Sequence, residues 1–173
     1  NGVRSGIISQ TVTVSAPAAV TASIGASPTS MVAPGSTTIT WSSSNATTAT
    51  VTGSGINSTA TSGSQAVNGL PAGTYTYTIT AQGPGGPATQ SATITVNAVA
   101  SVGASISASP TSATAPGAAT ISWTSANASS VSVSGTGLSS TAANGSQTVS
   151  GLSVGIYTYT ITAQGPNGPA AQT

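Results

Sequence analysis

Polar and apolar residues alternate along most of this chain with a period of two. Around Tyr75, aromatic and aliphatic residues occupy every second position and threonines occupy the positions between them. Residues 36–43 and 89–97 show the same alternation. Because a period of two places alternate side chains on opposite faces of a β-strand, the pattern predicts half-buried strands. Clusters of glycine and proline separate these stretches and predict turns.

The first half of the chain is predicted to form strands and no helix. Seven short strands with regular turns between them are typical of a β-sandwich. We expect these strands at residues 21–27, 36–43, 48–53, 57–61, 63–68, 73–82 and 89–97.

The chain contains two copies of one sequence, displaced by 82 residues. This offset carries Trp41 onto Trp123, and it carries residues 75–84 onto 157–166 without a gap. Of the 66 positions in residues 26–91, 41 are identical in the second copy. Self-similarity at a fixed offset indicates a repeated structural unit. The sequence therefore predicts two β-sandwich domains in tandem.

Several strings within the repeat carry a family resemblance. Residues 27–46 contain Ser-Pro-Thr-Ser, Ala-Pro-Gly and Thr-Ile-Thr-Trp-Ser-Ser-Ser-Asn-Ala, and related strings follow at 63–67, 72–81 and 91–96. Over nearly the whole chain these strings resemble the bacterial Ig-like repeats of cell-surface proteins, of the PKD or fibronectin-III-like kind. The resemblance implies an Ig-like fold that serves as a stalk, spacer, adhesin module or filament building block.

Charged residues are almost absent from the sequence. Arg4 is the one charged side chain, and there is no Asp, Glu, Lys, His or Cys. Carboxylate pairs, nucleophile triads and metal sites lack their components, so we predict a protein that is not an enzyme and needs no cofactor. One arginine neutralises too few phosphates for nucleic-acid binding. No stretch is long and apolar enough to predict a spanning helix, and the composition favours an extracellular, surface-exposed protein.

The repeat is out of phase with the numbered ends of the chain. The last strand of the first copy, at residues 90–97, would correspond to 172–179 in the second copy, beyond Thr173. Residues 9–16 align with 91–98 at the same offset. The sequence thus predicts an N-terminal strand segment at 1–18, a first Ig-like domain at 19–98, and a second at 99–173 that is open because it lacks its final strand.

This arrangement predicts that the chain polymerises head to tail with copies of itself. The N-terminal strand of one subunit would insert into the second domain of the next, an assembly that resembles donor-strand-exchanged filaments and pili. We predict the acceptor groove at Tyr157, Tyr159 and Ile161. The predicted donor residues are Ile7, Ile8, Gln10, Val12 and Val14.

Other interpretations stay open from the sequence. The 173 residues could be a part of a longer surface protein in which Ig-like modules act as spacers or adhesive units, and its following residues would then complete the second domain. The N-terminal strand could also fold back onto its own second domain. A carbohydrate-binding accessory domain is a third class, but its aromatic residues lie at positions that predict burial.

Individual side chains have two competing interpretations. Trp41 and Trp123 could stack on a ligand, but their alternation with isoleucines predicts core positions. The tyrosine pairs at 75/77 and 157/159 share a strand face with isoleucines, which favours core packing with a hydroxyl partner. Four asparagines fit the Asn-X-Ser/Thr acceptor pattern for covalent glycans. These glycosylation candidates are Asn45, Asn57, Asn127 and Asn144.

Overall fold

The protein is described by a computed structural model that covers residues 9–173. All regular elements in this range are strands, so the predicted all-β class is confirmed. The chain divides into two compact units, one that extends to Ala98 and one from Val99 to Thr173. Across residues 9–173 we find no helix with the length and apolar character needed to cross a bilayer. Residues 9–20 form no strand.

The first unit contains eight strands. The predicted strand positions agree with the structure to within a few residues, apart from β2, which the sequence pattern did not predict. The strands are β1 (Thr21–Ser27), β2 (Ser30–Val32), β3 (Gly35–Ser44), β4 (Thr48–Gly53), β5 (Ile56–Ser58), β6 (Ser62–Leu70), β7 (Gly73–Gly83) and β8 (Gly86–Asn97).

Two sheets form the first unit. One has the order β1-β3-β6 and the other the order β2-β8-β7-β4-β5, and all neighbouring strands are antiparallel except β2 and β8. The core lies between the sheets, because every second residue of β3, β4 and β7 is buried. Both sheets contribute to a single hydrophobic cluster, with Ile39 from one and Ile79 from the other fully buried.

The second unit repeats this plan with seven strands. One sheet has the order β9-β10-β13, and the other has the order β12-β11-β14-β15. Its core is again a single cluster in which Ile121 and Ile161 are fully buried. The strands are β9 (Gly103–Ser109), β10 (Gly117–Ala126), β11 (Ser130–Gly135), β12 (Leu138–Ser140), β13 (Gly145–Leu152), β14 (Tyr159–Gly165) and β15 (Gly168–Gln172).

The last strand of the second unit differs from the prediction. The sequence pattern placed the start of the last strand near residue 90, which left the second unit without it. The structure begins this strand earlier, at Gly86 in β8 and at Gly168 in β15. The reason is the tight turn that joins β14 to β15 through the pair Gly165 and Gly168. Within the described residues, the second unit therefore has the first half of this strand, and the counterparts of residues 92–97 would follow Thr173.

Both tryptophans are core residues, as the alternation predicted. Trp41 and Trp123 are 7% and 5% exposed. Each indole Nε1 donates a 3.0 Å hydrogen bond to a backbone carbonyl, that of Ala60 and that of Ala142 respectively. These buried and satisfied rings present no stacking surface for a ligand.

Candidate functional site: an open groove in the second unit

In the first unit, the second half of β8 closes one side of the sandwich. Ile94 lies opposite Tyr75 and Val96 lies opposite Gly73 on β7. Both aliphatic side chains are buried, with 1% and 2% exposure. On its other side, the end of β8 runs parallel to β2, where Met31 lies opposite Val96. This half-strand is therefore an inner strand whose two side chains complete the core.

The second unit has no strand at this place within the described residues. β7 begins at Gly73, but its counterpart β14 begins at Tyr159, four residues later than the repeat offset requires. The four residues at 155–158 form no ladder. Their counterparts at 73–76 pair with residues 93–96 in the first unit. Tyr159 and Thr160 extend β14 past the end of β15 because they pair with β11, and the ladder ends where neither β11 nor β15 has a partner residue.

Two cavities of the second unit lie where the second half of β8 lies in the first unit. The larger, of about 400 Å³, lies between residues 110–119 and residues 152–157. The smaller, of about 300 Å³, is lined by Ile106, Ile121 and Thr173 among others. Tyr157 and Tyr159 line both cavities, which therefore lie side by side. We call the two cavities together the acceptor groove.

The predicted groove residues occupy different depths. Tyr157 is half-buried, and its hydroxyl donates a 3.0 Å hydrogen bond to the carbonyl of Ser153. Tyr159 is 9% exposed and its hydroxyl donates to the carbonyl of Thr136 at 3.2 Å. Ile161 is fully buried and lines neither cavity. The structure places Ile161 in the core of the second unit, opposite Gln172 of β15.

Several groove residues were not predicted. Ala113 lines the larger cavity where the first unit has Met31, and Gly155 lies where Gly73 accepts Val96. Val154 and Ile156 also line this cavity, and they are 94% and 98% exposed. Their counterparts in the first copy are Ala72 and Thr74. A comparison of the two copies could have identified them, because two small or polar residues change to large aliphatic ones at one site.

The predicted donor segment is solvent-exposed over its described part. Val12 and Val14 are 83% and 89% exposed, and Gln10 is exposed as well. These residues form no strand within their own chain. Ile7 and Ile8 lie outside the described residues. The segment is therefore an unpaired, alternating stretch of the type that adds to a sheet edge.

The four candidate asparagines differ in what their amides do. Asn45 and Asn127 have positive φ values of 58° and 55°, in the left-handed region. Each donates a 2.8 Å hydrogen bond from Nδ2, to the carbonyl of Ala19 and of Ser101 respectively. Asn144 accepts the backbone N–H of Ser125 at 3.1 Å. Asn57 is exposed on the short strand β5. The side-chain amides of Asn45, Asn127 and Asn144 therefore form hydrogen bonds that stabilise the fold.

Electrostatics contribute little to the groove. Within residues 9–173 there is no group of three or more His, Cys, Asp or Glu side chains that could hold a metal ion. Burial, with a smaller contribution from the charge of Tyr75, raises the pKa of Tyr77 above its usual value. Tyr77 lies in the core of the first unit, away from the groove. The residues that line the groove have apolar, hydroxyl-bearing or tyrosine side chains.

Solved structures that are similar to this chain contain fibronectin(III)-like modules or Ig domains. Neither models of known protein families nor curated proteins gave a match. Fibronectin(III)-like modules of CbhA from Clostridium thermocellum are similar over 87% of this chain and 90% of theirs, with 14% identity and a TM-score of 0.36. The N-terminal eight Ig domains of Down Syndrome Cell Adhesion Molecule match over 88% of this chain and 26% of theirs, with 12% identity and a TM-score of 0.31.

The strand order of the sheets themselves defines the fold. A three-stranded sheet packed against a sheet that contains the last two long strands is the arrangement of Ig-like sandwiches. Near the start of β7, the hydroxyl of Tyr75 donates to the carbonyl of Pro71 four residues upstream, as in a tyrosine corner. The described residues therefore form an all-β fold of the Ig-like sandwich type.

Proposed function

We propose that this protein is the structural subunit of an extracellular filament. Residues 10–15 of one copy complete the second unit of the next copy, and the chain polymerises head to tail. One observation carries the proposal: the acceptor groove lies where Ile94 and Val96 close the first unit, and the exposed Val12 and Val14 occupy the same two positions in the repeat.

The first unit supplies the register of the proposed joint. Ile94 lies opposite Tyr75, and Val96 lies opposite Gly73. The repeat offset of 82 residues relates Ile94 and Val96 to Val12 and Val14. The same offset relates Tyr75 and Gly73 to Tyr157 and Gly155. The donor therefore runs antiparallel to residues 155–158, with Val12 opposite Tyr157 and Val14 opposite Gly155. Both valines then enter the acceptor groove.

The energy of the joint has two sources. Burial of an aliphatic side chain stabilises a fold by about 1.5–3 kcal/mol, so Val12 and Val14 together contribute several times the thermal energy. The backbone groups of 155–158 gain partners from the donor, and each net hydrogen bond adds about 0.5–1.5 kcal/mol. An open sheet edge is also a site of unspecific association, which the donor strand covers.

The register also limits the length of the donor. Ser9 corresponds to Thr173, and Ile8 corresponds to Gln172, which already pairs with Ile161. A donor that entered the sheet before Gln10 would have to displace β15. The proposed pairing therefore begins at Gln10, and Ile7 and Ile8 lie upstream of it.

A joint of this type leads to an open polymer. The donor and the groove are different surfaces of one chain, so the contact is heterologous and propagates unless it closes into a ring. With one charged side chain in 173 residues, neighbouring subunits have little electrostatic repulsion to overcome. We include covalent glycans on the candidate asparagines in the proposal, because sugars would hydrate a surface without charge.

A second function is favoured by the repeat itself. A third copy that continued after Thr173 would begin in the register of Gln10 and would also fill the groove. The chain would then be a spacer or adhesive module of a larger cell-surface protein. In that case the groove is filled within one chain and no polymer forms.

Electron microscopy and sedimentation of three chains distinguish these functions. The full chain is expected to form filaments, and a chain that lacks residues 1–16 is expected to remain monomeric or to aggregate without order. The matched control lacks residues 1–8 only and keeps the donor, so it is expected to form filaments. A full chain that stays monomeric, or a chain without residues 1–16 that still forms filaments, contradicts the proposal.

A further inference from the structure

The end of β8 is held from both sides in the first unit. On one side lies β7. On the other side lies β2, which pairs with it in parallel over three residues, from Ser30 opposite Thr95 to Val32 opposite Asn97. Two backbone hydrogen bonds extend this contact, from the N–H of Thr95 to the carbonyl of Thr29 and from the N–H of Ala33 to the carbonyl of Asn97, both 2.9 Å.

The corresponding segment of the second unit, residues 111–115, forms no strand. All five residues are exposed, and all except Thr114 line the larger cavity of the acceptor groove. Their sequence keeps Thr111, Ser112 and Ala115 and replaces Met31 and Val32 by Ala113 and Thr114. Parallel pairing uses backbone groups, which these replacements leave in place. What this segment lacks, compared with β2, is the strand beside it.

We propose that residues 111–115 form a clamp that closes on the donor strand as a parallel neighbour. This inference rests on the proposed function and names the second contact of the same partner. In the register of the first unit, the N–H of Thr13 donates to the carbonyl of Thr111. The N–H of Ala115 donates to the carbonyl of Ser15.

The two backbone edges of the donor strand bond to different segments of the second unit. In a strand, the backbone groups of successive residues point to opposite sides. Because Thr95 bonds to the β2 side, the backbone groups of Ile94 and Val96 face β7. In the donor, Val12 and Val14 therefore bond to residues 155–158, and Thr13 and Ser15 bond to the clamp. The donor becomes an inner strand rather than a new sheet edge.

The clamp is tested with a synthetic peptide of residues 9–16, titrated by calorimetry into the full chain that carries V12N and V14N. In a second peptide an ester oxygen replaces the backbone N–H of Thr13, which removes the donor to Thr111. The loss of one such hydrogen bond is expected to weaken binding about three- to tenfold. The matched control is an ester at Thr11. The counterpart of Thr11, Thr93, lies beyond the end of β2, so this peptide is expected to bind within about twofold of the unmodified one.

The outcomes separate the two proposals. If the unmodified peptide does not bind, the proposed function is contradicted and the clamp with it. If the unmodified peptide binds and the Thr13 ester binds equally well, the groove accepts the donor but the clamp is wrong. Hydrogen exchange gives a second measurement, since the amide of Ala115 is expected to gain protection when the peptide binds. An Ala115 amide that exchanges at the same rate with and without peptide contradicts the clamp.

Discussion

Tyr75 lies directly opposite Ile94 in the antiparallel pair of β7 and β8, and this pair closes the core of the first unit. Tyr157, the counterpart of Tyr75, has no residue opposite it within residues 9–173, and it lines both cavities of the acceptor groove. The two units thus share a sequence plan, and the strands described differ at the second half of β8 and at β2, which pairs with it. The proposed joint depends on which residue occupies the position of Ile94 in the second unit.

The apolar face of the donor segment is expected to control polymerisation. V12N and V14N together place two amides in the core of the neighbouring unit and remove a burial energy of about 3–6 kcal/mol. The critical concentration for filament formation is then expected to rise by at least about a hundredfold, as measured by light scattering and sedimentation.

The matched control for this change is T11N with T13N, in the same segment on the opposite strand face. These side chains are expected to point to solvent in the joint, so the critical concentration should stay within a few-fold of the original. Equal loss of polymerisation in both double variants would show that the alternation of the segment does not matter, against the proposed register.

A donor strand attached to the other end of the chain is expected to close the groove within one molecule. An added Gln-Thr-Val-Thr-Val-Ser-Ala directly after Thr173 continues the repeat without a linker. Its two valines fill the groove, so thermal unfolding is expected to shift several degrees upward and filaments should disappear.

In the control for this extension, asparagine replaces both valines. This chain is expected to keep both its filaments and its original unfolding temperature. Filaments that persist unchanged in the valine-containing chain would show that the groove is not the joint.

Tyr77 and Tyr159 occupy equivalent positions but differ in their hydroxyl contacts. The Tyr77 hydroxyl is buried without a hydrogen-bond partner, whereas that of Tyr159 donates to Thr136. Y77F is therefore expected to be neutral or to stabilise the first unit, and Y159F is expected to destabilise the second unit by about 0.5–1.5 kcal/mol. Calorimetric unfolding of both variants checks this, and a larger loss for Y77F than for Y159F would contradict the assignment.

Tyr77 also determines how the stability of the fold is expected to respond to pH. Asp, Glu and His are absent from the sequence, so the stability of the described fold should be nearly flat from acid to mildly alkaline pH. Burial raises the pKa of Tyr77, so the unfolded chain loses this proton more easily than the folded one. Stability is therefore fully present below the unfolded pKa of about 10 and falls as the pH rises through the higher folded pKa.

Unfolding temperatures measured from pH 3 to pH 11 check this, with Y77F as the control that should lessen the alkaline decline. A fall in stability between pH 3 and pH 6 would contradict the account.

Gly145 is expected to be required because it lies against the indole of Trp123. A Cβ at Gly145 would lie 2.6 Å from Cζ2 of the ring, closer than packed atoms approach. G145A should therefore destabilise the second unit by about 1–3 kcal/mol. At Gly103 a Cβ would have only Ala126 nearby, at 3.6 Å, so G103A is expected to change stability by about 0.5 kcal/mol or less. Denaturant unfolding of both variants tests the difference, and equal effects would contradict this packing.

The sequence predicted much of the fold because period-two alternation reports burial directly. Trp41, Trp123 and Ile79 were expected in the core from their strand neighbours, and all three are buried. β2 was missed because it has three residues and pairs in parallel with a strand far along the chain, which leaves no local pattern. The start of β15 was not predicted because the glycines and prolines around Gly168 indicate a turn and give no strand pattern.

The site could be predicted only in outline. The offset of 82 placed the donor and the groove, but it could not separate Ile161 from Tyr157, because both lie on one strand face. Depth in the core depends on which partner strand is present: Ile161 pairs with Gln172 of β15, whereas Tyr157 has no ladder partner among the described residues and lines the groove. The clamp at 111–115 carries no apolar alternation, so it could be found only through the backbone pairing of β2.

A covalent link between two copies tests the central claim most directly. Thr76 and Thr93 lie opposite each other in the first unit with their hydroxyls 3.4 Å apart, and their counterparts in the joint are Thr158 and Thr11. The chain has no cysteine, so T11C and T158C can be introduced into separate copies and mixed under mild oxidation. We expect a disulfide-linked dimer that contains one copy of each variant and forms far faster than dimers of either variant alone. A mixture that gives no more mixed dimer than random pairing would contradict strand donation between subunits.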